Sequence, residues 1–266
     1  MDNFVDARDY ELLDGDRYSF SILRMIMGKS SRLLLSDHKR LILCKAEVFF
    51  PAWLWTPDDA SEEEMERSYA LAAENGLLRE GQNLYMKYDL ADYWIKRAAK
   101  DGLKITISSN TFAYDCPEPK QSADSADGGM QVCTEADVNE LAELLDMFHK
   151  ETRLTEKDME ACRAEASSLI KAGNTYFWKD AQGQTVACCS YGIDGDLATI
   201  SNVFTRPQYR RRHYAENLVY QVTAIAKNAG FMPMLYADAD YAASNGCYVK
   251  IGYILRGKLC VVDVSR

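Results

Sequence analysis

Thr205-Arg206-Pro207-Gln208-Tyr209-Arg210-Arg211-Arg212-His213-Tyr214-Ala215 is the stretch that decides how this chain folds. Four arginines fall within seven positions of an acidic protein, between an apolar run that closes at Thr205 and a helical pattern that opens near Tyr214. A strand that enters a tight turn and then opens a helix aims unpaired backbone N–H groups, and the positive end of the helix dipole, at one point in space. Such a point suits phosphate. The plain counter-reading is a solvated basic run that binds nothing; placement between strand and helix is what favours the anion site.

Outward from this turn, the hydrophobic period assigns the neighbouring elements. Upstream, 175–178, 185–191 and 197–205 read as strands separated by turns at 180–183 and 194–196, an antiparallel meander. Downstream, Leu218, Val219, Val222, Ile225 and Ala226 recur at helix spacing over 214–228, and Gly230 follows as the stop. A strand over 234–237, a short helix over 244–250 and a closing strand over 255–264 come next. Two helices precede the meander. One is headed by Thr134 and Asp137 and carries Val138, Leu141, Leu144, Leu145 and Phe148; the other is headed by Thr155 and Asp158 and carries Met159, Cys162, Ala166, Leu169 and Ile170. The stretch 115–130, DCPEPKQSADSADGGM, gathers turn formers with almost nothing to bury and reads as a linker. The expected organisation is an N-terminal α/β domain at 1–114, a linker at 115–130 and a second domain at 131–266 with the order α-α-β-β-β-α-β-α-β.

Residues 203–215 resemble the acetyl-CoA signature of the GNAT N-acetyltransferases, V-x-T-x-P-x-x-R-x-x-G-x-A. Asn245-Gly246-Cys247-Tyr248-Val249-Lys250-Ile251-Gly252-Tyr253 resembles that family's N-x-x-Y-x-K-x-G-[FY] segment. The two lie in the family's order, one helix and one strand apart. The resemblance covers 131–266 and implies the GNAT acyl-CoA N-acyltransferase fold, an α/β (α+β) architecture with a mixed, splayed central sheet. It also implies acetyl-CoA as co-substrate and no metal. The backbone of Val203, Phe204 and Thr205 would then meet the pantetheine arm at a bulge. The turn of Arg210, Arg211, Arg212, His213, Tyr214 and Ala215 would cradle the pyrophosphate, and Asn245 would contact the cofactor. Tyr248 is the expected catalytic residue: an amine attacks the thioester carbonyl, a strand N–H near Val203 holds the oxyanion, and the Tyr248 hydroxyl gives a proton to the departing sulfur.

One position departs from the pattern. His213 stands where the family has glycine, so either its Cβ pushes the cofactor outward and weakens binding, or its imidazole donates to a phosphate. No general base is assigned. Ser201 and Asn202, just ahead of the bulge, do not titrate usefully, and Glu151, Asp238 and Asp240 read as solvated or capping carboxylates. His38 and His149 lack a partner motif and read as structural or surface residues.

The first 114 residues show a helix over 20–27, strands over 32–35, 41–50 and 53–55, and a helix from Ser61 capped with Glu64. A strand over 83–88, a helix over 90–100 and strand pieces at 103–107 and 112–114 follow. This closing order of strand, helix, Gly102 and strand repeats that of 234–264, so the half reads as a degenerate GNAT-like copy without the cofactor turn. Phe49, Phe50, Trp53 and Trp55, with the acidic run over 62–66, form either core or a cleft that favours a cationic amine.

Composition bounds the rest. At 266 residues and 47% hydrophobic, the chain suffices for two domains and is not disordered. A net charge of −9 disfavours a general nucleic-acid partner. Sixteen basic and twenty-three acidic residues precede position 131, against fifteen and seventeen after it, so the acidity lies mostly in the N-terminal half. No apolar run approaches the ~20 residues of a membrane span, and the acidic start MDNFVDARDYELLDGD lacks a signal-peptide layout; a cytoplasmic protein is expected. Eight scattered cysteines, with Cys188 and Cys189 facing opposite sides of a strand, suggest neither disulfides nor a zinc site. The expected function is transfer of an acetyl group from acetyl-CoA to a primary amine of a small molecule or peptide, in a ternary complex. No membrane or nucleic-acid partner is expected, and a homodimer is left open. A catalytically weak CoA-binding sensor is the alternative, motivated by His213 and the missing base.

Overall fold

The computed structural model describes residues 1–29, 31–47, 50–152 and 157–265. In chain order the elements are α1 (Ala7–Leu12), α2 (Ser21–Met27), β1 (Leu33–Ser36), β2 (Ile42–Lys45), β3 (Ala52–Trp55), α3 (Glu62–Glu74), β4 (Asn83–Met86), α4 (Tyr88–Lys100) and β5 (Lys104–Asp115). They continue as β6 (Gly129–Val132), α5 (Val138–Thr152), α6 (Met159–Lys171), β7 (Thr175–Lys179), β8 (Thr185–Asp194), β9 (Leu197–Thr205), α7 (Tyr214–Asn228), β10 (Met232–Asp238), α8 (Ala242–Ile251) and β11 (Ile254–Ser265). Two compact units result: Met1–Ala113 with Ala237–Asp240 and Leu255–Arg266, and Tyr114–Tyr236 with Tyr241–Ile254.

These units depart from a division at 114 and 130. The closing strand falls with the first unit, because β11 pairs antiparallel with β4 from Cys260↔Met86 to Asp263↔Asn83. The end of the expected linker is a strand: β6 pairs with β7 from Gly129↔Lys179 to Val132↔Tyr176. Gly128 leads into it at φ +79, where a Cβ would lie 1.9 Å from the Lys179 carbonyl oxygen, so only glycine lets the two backbones meet there.

In the first unit the strands stand in the order β1-β2-β3-β4-β11-β5. β1–β2 and β2–β3 are antiparallel hairpin pairs, whereas β3–β4 is parallel, with α3 as the connection. Ser61 and Glu64 close the expected capping box on α3. The stripe Leu90, Ala91, Trp94 and Ala98 of α4 buries against Tyr69 and Ala72 of α3 and against Leu43, Leu54 and Leu84 of the sheet. Trp94, fully buried, donates Nε1–H to Ser68 Oγ at 3.0 Å.

Two of the four clustered aromatics, Trp53 and Trp55, are core. Trp53 stacks on Tyr85 at 4.3 Å between centroids, and Trp55 donates to Asp16 at 2.8 Å. Phe50 is exposed and Phe49 lies outside the described residues. Of the acidic run, Glu64 holds Arg40 and Glu66 holds Arg97. The expected strand pieces at 103–107 and 112–114 are one strand, β5, and α1, unforeseen, is closed by a capping box of Asp6 and Asp9.

The second unit orders its strands β10-β9-β8-β7-β6. The meander is antiparallel as expected, and β10 joins β9 in parallel. Helices α5 and α6 bury Leu141, Leu144, Leu145, Cys162, Ala166 and Ile170 over Phe177, Cys188 and Phe204. Helix α7 packs on β7, β8 and β9 outside that cluster, with Val219 and Val222 buried, and so covers the opposite face. Thr134 and Asp137 form their capping box on a single 3-10 turn ahead of α5; Asp158 caps α6, and Thr155 lies outside the described residues. All eight cysteines are free thiols and seven are buried. Among the described residues no helix is long and apolar enough to cross a membrane.

Candidate active site

Two irregularities shape β9. Cys188 pairs with Phe204 but Ser190 with Ser201, so Asn202 and Val203 stand opposite the single residue Cys189. This is a bulge, and its first residue, Asn202, takes a left-handed φ of 52, which asparagine tolerates better than most L-residues. Its amide donates to Ser190 Oγ at 2.9 Å, pinning the bulge to β8. On the other edge, β9 pairs with β10 only from Leu197↔Met232 to Thr199↔Met234, although both strands run on. Beyond Thr199 the two part, leaving one edge of 200–205 without a neighbouring strand. Val203 and Thr205 are half-buried there, Phe204 is buried, and Thr205 Oγ1 is a buried hydroxyl with no hydrogen-bond partner.

After β9 the chain makes a 3-10 turn, Pro207–Tyr209, then winds into α7 through Arg211 at φ 61 and His213 at φ 61. Two left-handed L-residues cost about 1–2 kcal/mol each. The conformation explains why glycine is the natural occupant of position 213. Among the described residues, none of the backbone N–H groups of 211–216 finds an acceptor. The open edge, the unpaired Thr205 hydroxyl and these six N–H groups fit a ligand with an extended amide-bearing arm ending in phosphates.

The arginines divide into two kinds. Arg206 donates to the Thr185 carbonyl at 3.0 Å and lies 3.7 and 3.8 Å from Glu140 and Glu143. Arg210 donates to the Thr205 carbonyl at 3.1 Å and pairs with Glu151 at 2.6 Å. Both brace the end of β9 against α5. Arg211 and Arg212 are exposed, and Arg212 covers the Tyr209 ring at 5.7 Å.

The sequence reading missed what covers this turn. Residues 122–127, inside the expected linker, lie across the first turn of α7. Ser122 donates to Glu216, Asn217 donates to the Asp124 carbonyl at 3.0 Å, and Tyr214 donates to Asp127 at 2.5 Å. Asp127 also accepts from the Ala181 N–H at 3.1 Å, and its carbonyl accepts from Trp178 Nε1 at 2.7 Å. The Tyr214 hydroxyl, then the Ala181 N–H, hold the Asp127 carboxyl below the usual carboxylate range. His213 Nδ1 lies 3.6 Å from Asp124 and 3.4 Å from Glu216, so its ring faces carboxylates. A cavity of about 660 Å³ opens beside the turn, lined by Asp127, Asp180, Gln182, Tyr209, Arg212 and His213 among others.

Helix α8 carries the remaining candidates. Tyr248 is 7% exposed, its ring between those of Tyr114 and Tyr253 at 6.5 and 5.8 Å. Burial pushes its pKa above the ordinary tyrosine value, so the hydroxyl keeps its proton. Asn245 accepts from the Tyr114 hydroxyl at 2.9 Å and donates to the Tyr241 carbonyl at 3.0 Å, bracing its own helix. Ala215 sits half-buried in the first turn of α7. Away from the site, His149 is buried against Glu165 at 2.8 Å, and His38 Nδ1 lies 2.7 Å from the buried Asp9. Of the three carboxylates considered as bases, Glu151 holds Arg210, Asp240 accepts from Asn110 at 2.8 Å, and Asp238 accepts from the Asp240 N–H at 2.9 Å.

Residues 138–253 match the family model of the acetyltransferase (GNAT) family. No curated protein matches the chain. Among solved structures, an acetyltransferase from the GNAT family of Colwellia psychrerythraea is similar with a TM-score of 0.62 and 10% identity, covering 100% of this chain and 99% of its own. A GCN5-related N-acetyltransferase from Sphaerobacter thermophilus reaches 0.62 at 12% identity, over 91% of this chain and 84% of its own. One from Kribbella flavida reaches 0.58 at 14% identity, over 94% of each. At these identities the structures speak for the fold, and the family match spans the stretch that holds both the turn and α8. The chain therefore carries, over residues 138–253, a domain of the GNAT acetyltransferase family.

Proposed function

We propose that this protein transfers an acetyl group from acetyl-CoA to a primary amine of a small molecule or peptide, by direct attack in a ternary complex. The observation that carries the proposal is the parting of β9 from β10 at Thr199↔Met234, next to a turn with six N–H groups that find no acceptor among the described residues. When bound, acetyl-CoA supplies an activated thioester. The free edge at Val203 to Thr205 orients the pantetheine arm, and the N–H groups of 211–216 hold the pyrophosphate. Tyr248, protonated because it is buried, is the general acid for the departing sulfur. The N-terminal half is proposed as a degenerate copy of the same fold. In support, α4 and α8 each run into a left-handed glycine, Gly102 at φ 72 and Gly252 at φ 103, ahead of a strand.

The test is thiol release from acetyl-CoA across an amine library, with CoA binding measured in parallel. Tyr248→Phe is expected to lower turnover by roughly 10²-fold or more while leaving CoA affinity unchanged. A second reading, a CoA-binding module with little catalysis, rests on His213 and its carboxylate neighbours. It prevails if CoA binds and no amine raises thiol release above background.

A further inference from the structure

The first unit holds a charge arrangement that the acyltransferase reading does not use. Lys45, at the end of β2, is 6% exposed, and its Nζ meets the neutral side-chain amide of Gln82 at 2.5 Å. A buried ammonium is ordinarily paired with a carboxylate, because the cost of desolvating it is otherwise uncompensated. Among the described residues no carboxylate forms an ion pair with Lys45, and the charge that bears on it is another cation. Burial first, and Arg32 second, push the Lys45 pKa down.

Arg32 and Arg79 likewise form no ion pair among the described residues. Both are exposed, and both line the same pocket as Lys45 and Gln82, a cavity of about 440 Å³ in which Glu74 is the one carboxylate. Three cations thus share a cavity with one anion, in the half of the chain that is otherwise the more acidic. The end of α3 offers them little. Its last carbonyls are taken by the N–H groups of Asn75, Gly76 and Leu77 at 3.2, 3.0 and 2.9 Å. Gly76 is left-handed at φ 71, and the Arg79 guanidinium lies over it, 3.3 Å from where a Cβ would stand. Backbone on one side and a buried ammonium on the other leave a space whose unmet requirement is negative charge.

We propose that this pocket binds a doubly charged oxyanion, the phosphate group of a small molecule, with Lys45 at its floor and Arg32 and Arg79 at its rim. The chemistry fits. Guanidinium forks match phosphate oxygens in pairs, a lysine adds a compact point charge, and an excess of two positive charges balances a dianion better than a carboxylate. The proposal is independent of acyl transfer, since it concerns the first unit and a different ligand.

Calorimetric titration of the full chain with inorganic phosphate, and separately with acetate, at constant ionic strength tests it. Saturable phosphate binding is expected, with acetate at least about tenfold weaker. The double variant R32Q/R79Q changes only exposed side chains and should lower phosphate affinity about tenfold or more. Lys45→Met should abolish binding; if it unfolds the chain, the double variant still decides. Absence of saturable phosphate binding overturns the proposal. So does an affinity unchanged in R32Q/R79Q, which would place the phosphate at the turn before α7. Acetate binding as tight as phosphate overturns the assignment to a dianion.

Discussion

Replacing His213 by glycine and, separately, by alanine probes the backbone geometry of the turn proposed to hold the cofactor. His213 precedes α7 at φ 61 and ψ 9, a left-handed conformation that costs an L-residue about 1–2 kcal/mol. Glycine escapes that strain but gives up about 0.5–1 kcal/mol of backbone entropy relative to alanine on folding. Both variants lose the imidazole, whose contacts with Asp124 and Glu216 come from a side chain 38% exposed and contribute at most about 1 kcal/mol. That loss is common to the two and cancels in their difference. Glycine should therefore be the more stable variant by about 0.5–1 kcal/mol, read from urea unfolding under identical conditions. In CoA titrations glycine should also bind most tightly, because the N–H groups of 211–216 can then approach the ligand without a Cβ between them. An alanine variant as stable as the glycine variant would refute the left-handed assignment. If both variants bind CoA more weakly than the parent by one common factor, the imidazole is a phosphate donor and the obstruction idea fails.

Gly128→Ala should destabilise by about 2–4 kcal/mol, since its Cβ would meet the Lys179 carbonyl at 1.9 Å in a left-handed backbone; a variant that unfolds at the parent's urea midpoint would contradict the contact. Asp127 has a folded-state pKa below its unfolded value, so its hydrogen bonds stabilise at neutral pH, and that contribution disappears as pH falls from about 3.9 through the depressed value. Tyr214→Phe should move the Asp127 titration back up toward the ordinary carboxylate range in carboxyl NMR spectra, and an unmoved titration would remove Tyr214 as its cause.

The parts of the fold legible in advance are those in which local pattern and tertiary contact agree. The stripe Leu218, Val219, Val222 and Ala226 buries on one face of α7 because 3.6-residue periodicity is enough to define that face. Cys188 and Cys189 part to opposite faces because strands alternate, and only Cys188 joins the α5–α6 core. The bulge at Asn202 was legible only through the family signature, since a bulge is a property of two paired strands rather than of one. The placement of β11 was not legible at all. Its partner β4 lies 174 residues away at the Cys260–Met86 contact, and nothing within 255–264 distinguishes one sheet neighbour from another. Residues 122–127 were hidden for a related reason. Serine, alanine and aspartate have little to bury, so composition suggests a linker, yet the Ser122 hydroxyl, the Asp124 main-chain carbonyl and the Asp127 carboxylate are specific partners for Glu216, Asn217 and Tyr214, which lie 94, 93 and 87 positions away.

The surroundings of the turn also change what its arginines can do. Glu140, Glu143 and Glu151 already engage Arg206 and Arg210, while Asp124, Asp127 and Glu216 stand around His213 and Tyr214. Positive charge on the two remaining guanidiniums, Arg211 and Arg212, is exposed and screened within about 8 Å at physiological salt. Backbone N–H groups in direct contact with a phosphate lose little to such screening, and six of them find no acceptor among the described residues here. The anion grip proposed for this turn therefore falls mainly to the backbone. CoA affinity should fall only shallowly between low and high salt, Arg211→Ala and Arg212→Ala should account for most of that slope, and Arg206→Gln should alter stability more than affinity. A steep salt dependence shared equally by all four arginines would return the binding to the basic run as a whole and leave the left-handed turn without its proposed purpose.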